Sequence, residues 1–127
     1  MNLTKLFSVV PLVGVLVGCA PSYVNLTPRS VPRRATDVYP FEVEWKTRRT
    51  GANNAAVRAY VVIDDQLYPL ARVPNTENRF EGSAPISANR VNVPYKFKLD
   101  YQYPGLPERI ASSDWSPEYR LTLPGQP

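Results

Sequence analysis

The residues able to do chemistry in this chain are few. Its 127 residues include no histidine and a single cysteine, Cys19. An internal disulfide, a His/Cys zinc cluster and a nucleophile–histidine pair are therefore all out of reach. Carboxylates, tyrosines, lysines and a Ser–Lys pair are what remain for proton transfer. Glu42 and Glu44 stand two apart in FEVE. On a strand both would project from one face with Cα atoms about 7 Å apart, a spacing that glycoside hydrolysis can use. The surrounding pattern reads instead as a solvated strand face. Asp64-Asp65 would need many more oxygens around it to hold calcium and reads as a hairpin turn. Lys96 and Lys98 with Tyr101 and Tyr103 could stack and pair with a nucleic acid, but the lysines read as part of a polar strand face. The expectation is a protein that is not an enzyme, with no metal, no cofactor and no nucleic-acid partner.

Cys19 is the exception, because its neighbourhood is specific. Lys5 is followed by Leu6 to Val17, twelve apolar or small residues, and then by Leu16-Val17-Gly18-Cys19 closing that run. The run has the length of a signal-peptide core and falls well short of the roughly 20 residues that a spanning helix needs. Pro11 and Gly14 weaken it further as a helix. Leu16-Val17-Gly18-Cys19 resembles the lipobox of bacterial lipoproteins. The resemblance implies cleavage between Gly18 and Cys19, a thioether from Cys19 to diacylglycerol, and acylation of the new amino terminus by a fatty acid such as palmitate. Membrane lipid is then the partner of Cys19, since more than one acyl chain makes anchoring stable. Ala20, where an aspartate would favour inner-membrane retention, leans the expected location toward the outer membrane of the cell envelope.

The chain divides into a signal peptide (1–18), a lipidated cysteine with a flexible tether (19–38), and a β-domain (39–127). Fourteen prolines argue against helices. Pro21, Pro28 and Pro32 punctuate the tether, which would reach roughly 60 Å if drawn out as polyproline II. Arg29, Arg33 and Arg34 lie in it, either beside anionic head groups or simply solvated. Asn25-Leu-Thr27 has the form of a glycosylation sequon, which a bacterial lipoprotein would not ordinarily use. From Tyr39 the period becomes two, with Tyr39, Phe41, Val43 and Trp45 on one face. Further strands are expected at 55–63, 66–71, 79–83, 91–103, 109–113 and 117–123. Pro94 requires an edge or a bulge inside the longest of them. About seven short strands separated by turn signals indicate an all-β protein, a small antiparallel immunoglobulin-like β-sandwich with Trp45 at its core.

Exposed aromatics are the remaining candidates for binding, namely Tyr101, Tyr103 and Trp115; Tyr60 and Tyr68 fall on neither face clearly. Residues 79–82 (RFEG) and 86–101 (ISANRVNVPYKFKLDY) resemble starch-binding-type sandwich modules, which implies a carbohydrate platform of stacked aromatics. The expected function is that of a lipid-anchored envelope lipoprotein carrying a non-catalytic interaction or structural module. Its expected partner is another envelope protein, met through a strand edge or loops. The alternative is a glycan-binding module on the same anchor.

Overall fold

Alternation of buried and more exposed side chains sets the two longest strands, within 38–46 and 92–103. The computed structural model describes residues 22–46, 57–103, 108 and 110–124, with the Tyr103 side chain excepted; Gly18 and Cys19 lie outside the described residues. The strands are β1 (Ser22–Asn25), β2 (Val38–Lys46), β3 (Arg58–Ile63), β4 (Gln66–Arg72), β5 (Arg79–Pro85), β6 (Asn92–Tyr103), β7 (Ile110–Trp115) and β8 (Tyr119–Thr122). Neighbours run β1-β2-β5-β4-β3-β6-β7, with β8 also on β6, and every strand pair is antiparallel. β1, β2 and β5 form one layer, and β3, β6, β7 and β8 form the other. The protein is thus an all-β immunoglobulin-like sandwich, as its strand periodicity predicts.

β4 belongs to both layers. Residues 66–70 pair with β3, whereas Ala71 and Arg72 pair with Glu81 and Phe80 of β5. The crossing brings two backbones close at Gly82. A Cβ there would lie 2.8 Å from Leu70 Cδ2 and 2.9 Å from the Pro69 carbonyl oxygen. The β3–β4 hairpin turns at Asp64 and Asp65, whose φ values of 50° and 62° are those of a type I′ turn. Val73 to Thr76 makes a turn with Pro74 and Asn75 at its centre. Asn75 supplies the positive φ (62°), and the Thr76 amide donates to the Val73 carbonyl at 3.2 Å.

The segment expected to be a flexible tether is instead folded from Ser22 onward. β1 pairs with β2 in the register Tyr23↔Trp45. Thr27 locks the segment to β2 twice: its Oγ1 donates to the Glu42 carbonyl (3.1 Å) and accepts from the Glu42 amide (3.0 Å). The chain then switches layers. The Val31 amide donates to the Thr122 carbonyl (3.1 Å), the Thr122 amide donates to the Arg29 carbonyl (2.9 Å), and Val31 is buried. The Arg33 guanidinium donates to the carbonyls of Ala88 and Arg90, so it is no loose linker cation. Asn25 is used internally, its Nδ2 donating to the Tyr95 hydroxyl at 2.7 Å. Prolines Pro28 and Pro32 flank the crossing, where few ladder donors are needed.

Pro94 is accommodated as an edge. The Leu123 amide donates to the Val91 carbonyl, so the odd residues of β6 turn their polar groups toward β8. The Pro94 nitrogen therefore faces the β3 side, where pairing stops at Val62↔Lys96.

Side chains from β2 and β6 fill the centre. Trp45 is 0% exposed, and its ring lies 5.1 Å from that of Tyr101. Phe41 meets Tyr95 edge-on at 5.0 Å, and Tyr95 continues to Phe97 (5.7 Å) and Tyr119 (5.8 Å). Each such pair contributes about 0.5–1.5 kcal/mol beyond its burial. Tyr23 packs against this cluster from β1. Among the described residues neither its hydroxyl nor Trp45 Nε1 has a hydrogen-bond partner. Burial, and after it the charge of Asp114, pushes the Tyr23 pKa far up.

Two outcomes follow from this packing. Gly82→Ala should lower unfolding stability by about 1–3 kcal/mol in urea titration, because the added methyl meets backbone as well as the Leu70 side chain. Tyr23 keeps its proton in the folded chain to a pH at which an unfolded tyrosine, with its pKa near 10, has lost it. Its contribution is present below about pH 10 and disappears as pH rises through the folded value. The thermal midpoint should therefore fall more steeply with alkaline pH in the native protein than in Tyr23→Phe.

Candidate binding face around Trp115

β6 presents two different faces. Val93, Tyr95, Phe97, Leu99 and Tyr101 point inward and are buried, whereas Lys96, Lys98 and Asp100 point outward and are partly exposed. Register then decides what stands beside the lysines. Lys98 lies opposite Tyr60 of β3 on one side and Trp115 of β7 on the other, and Tyr60 in turn lies opposite Pro69 of β4. Pro69, Tyr60, Lys98 and Trp115 thus form one row across four strands.

Trp115 is held at the end of β7 by its neighbour. The Ser116 amide donates to the Phe97 carbonyl at 2.9 Å, and Ser116 Oγ accepts from the Phe97 amide at 2.7 Å while donating to the Pro117 carbonyl at 2.8 Å. Pro117 interrupts the ladder, and β8 resumes at Tyr119 on the same side of β6. The indole lies within 4.6 Å of Lys96 Nζ and 5.4 Å of Lys98 Nζ, measured to the ring centroid. At exposed positions such contacts contribute about 0.5–1 kcal/mol each. Trp115 is 49% exposed, whereas the Lys98 side chain is 22% exposed. The ring therefore packs on the two lysine side chains while about half of its own surface stays in solvent. Asp100 steadies the arrangement, with Oδ1 3.4 Å from Lys98 Nζ and accepting from Ser113 Oγ at 2.6 Å.

Of the three aromatic candidates, Trp115 alone is placed on this surface. Tyr101 is a correction: it is buried, it packs against Trp45, and its hydroxyl donates to Asp114 Oδ1 at 3.3 Å. It shares the inward face of Leu99 and so lies on the opposite side of the sheet from Trp115. Tyr103 ends β6, and its side chain lies outside the described residues, as does Cys19. Tyr68 packs partly buried against the core. Tyr60, opposite Lys98, is the aromatic that sequence left unplaced, and only the β3–β6 register brings it beside the lysine.

The other outward layer has a different character. Glu42, Glu44 and Glu81 stand there with Arg79 and Lys46, and Arg79 forms an ion pair with Glu42. Asp64 at the hairpin tip is paired with Arg90. Among the described residues no cluster of three or more His, Cys, Asp or Glu side chains could hold a metal. No protein-family model matches the chain, and no curated protein matches it significantly.

The two tryptophans should be separable in solution. Acrylamide should quench Trp115 strongly and Trp45 weakly, so Trp115→Phe should leave a blue-shifted emission with little quenching. An emission that remains readily quenched would mean that Trp45 is reached by solvent.

Proposed function

We propose that the chain is a lipid-anchored lipoprotein of the bacterial cell envelope whose sandwich is a non-catalytic interaction module. The Leu16-Val17-Gly18-Cys19 motif supports the anchor, and Ala20 after it favours the outer membrane. Only residues 20 and 21 separate Cys19 from β1 along the sequence. The observation that carries the interaction reading is the free edge of β7. Because Phe97 bonds Ser116, alternation directs the backbone groups of Ser112 and Asp114 toward β6 and those of Ala111, Ser113 and Trp115 away from it. Among the described residues no strand pairs with that outer side. The strand IASSDW carries neither lysine nor proline to guard it, and Ile110 and Trp115 are exposed along it. An extended segment of an envelope protein can add there as a further strand.

A second reading, a glycan-binding module on the same anchor, is favoured by one observation, the solvent-facing indole of Trp115 in line with Tyr60.

The test compares full-length protein recovered from its own membranes with an Ala111→Pro variant. Proline removes an outward donor without breaking the β6–β7 ladder. A partner captured by the native chain and lost from the variant, at unchanged thermal midpoint, is the expected result. Equal recovery by both would remove the edge from the account. Mass spectrometry of the same material should find the first 18 residues gone and a diacylglyceryl group on Cys19; a free thiol there would remove the anchor.

A further inference from the structure

The outward faces of the two layers differ in charge. Outward on β3, β6 and β7 stand Arg58, Lys96 and Lys98 against one carboxylate, Asp100. The face across the molecule carries Glu42, Glu44 and Glu81 against Arg79 and Lys46. The cationic face is also the aromatic one. Trp115 and Tyr60 flank Lys98 in adjacent strands, which places their Cα atoms about 10 Å apart, two strand spacings. Val62, nearly buried, and the exposed Leu67 border the row on its hairpin side.

We propose that this row binds an anionic 1,4-linked polysaccharide laid across the strands, one carrying carboxylates on its sugar rings. The proposal rests on the glycan reading above and names its ligand class. Two pyranose rings of such a chain extend over about the separation of two strand spacings. One ring packs on the exposed half of the Trp115 indole, the next carries its carboxylate to Lys98 and Lys96, and the third reaches Tyr60. The lysines lie under and beside the indole, so the stacking surface and the positive charge act on the same ligand. Asp100 neutralises part of the charge of Lys98, so the carboxylate is shared between Lys98 and Lys96. The chain must cross at the Lys98 row, because toward the hairpin tip the surface turns acidic with Asp65 and Glu118 beside Lys96. A peptide adding to the free edge would run along β7, whereas this row lies across strands. A lipid surface would favour a continuous basic patch, whereas Asp100, Asp65 and Glu118 interrupt this one.

The test is titration of the full-length native protein with oligogalacturonate, with a neutral 1,4-glucan oligosaccharide of the same length, with polyglutamate, and with vesicles containing anionic phospholipid, read by Trp emission and calorimetry. Binding of oligogalacturonate at least tenfold tighter than the other three is expected. Trp115→Ala should weaken it tenfold or more, and Lys96→Gln with Lys98→Gln should do the same while abolishing its salt dependence. Both sites are on the surface, and an unchanged thermal midpoint will show that the variants fold. Equal binding of the neutral glucan, lost with Trp115→Ala, would keep the glycan reading and overturn the anionic ligand. Preference for polyglutamate or for vesicles would overturn the proposal in favour of an acidic peptide or a membrane surface. Absence of binding to all four would overturn it together with the glycan reading.

Discussion

The contact between β2 and β6 side chains is what packs the two layers face to face. With one cysteine in the chain, no internal disulfide can tie the sheets together. Their union rests on Trp45 against Tyr101 and Phe41 against Tyr95, with Phe97 and Tyr119 extending the cluster. Two tyrosines in this cluster carry hydroxyls that find polar partners at its edge: Tyr95 accepts from Asn25 and Tyr101 donates to Asp114. Rings with a polar tip suit a thin sandwich, where a residue large enough to span the interior also reaches its rim.

That demand also explains where the outer surface gets its order. Each residue of β6 serves one side or the other, so the burial of Phe97, Leu99 and Tyr101 is also what directs Lys96, Lys98 and Asp100 outward at fixed spacing. The Ser116 clamp on Phe97 then fixes β7, and with it the position of the indole above the lysines. A strand that slipped by one residue would exchange the two sides entirely, placing lysines in the core. Interior packing and surface arrangement are one constraint seen from two directions.

The strands with clean alternation were legible in the chain: β2, β6 and the β3–β4 hairpin fall where periodicity and turn residues put them. β1 was not, because it is only four residues long and sits among prolines that locally signal a linker. What makes it a strand is tertiary, the pairing with β2 and the anchorage of Thr27 and Val31, and none of this has a local signature. The binding face was half legible. Trp115 stood out as a tryptophan in a weak strand, but its neighbours Lys98 and Tyr60 come from strands 17 and 55 residues earlier in the chain, and pairing register is not written in any single stretch. Tyr101 was misplaced for a related reason: the same alternation that names it a core residue also places it near a strand end, where aromatics are often at the surface.

The parallel bridge between Ser30 and Thr122 has a consequence for how the molecule is made. Joining two points so distant along the chain carries a large loop-closure entropy, and topologies dominated by such contacts assemble slowly. The segment from Arg29 to Val31 has no strand to pair with until β8 has emerged. Until then the growing polypeptide has an unfinished barrel-like wall, and its aromatic interior stays open on one flank. A sandwich closed in this way becomes compact only once β8 has joined it.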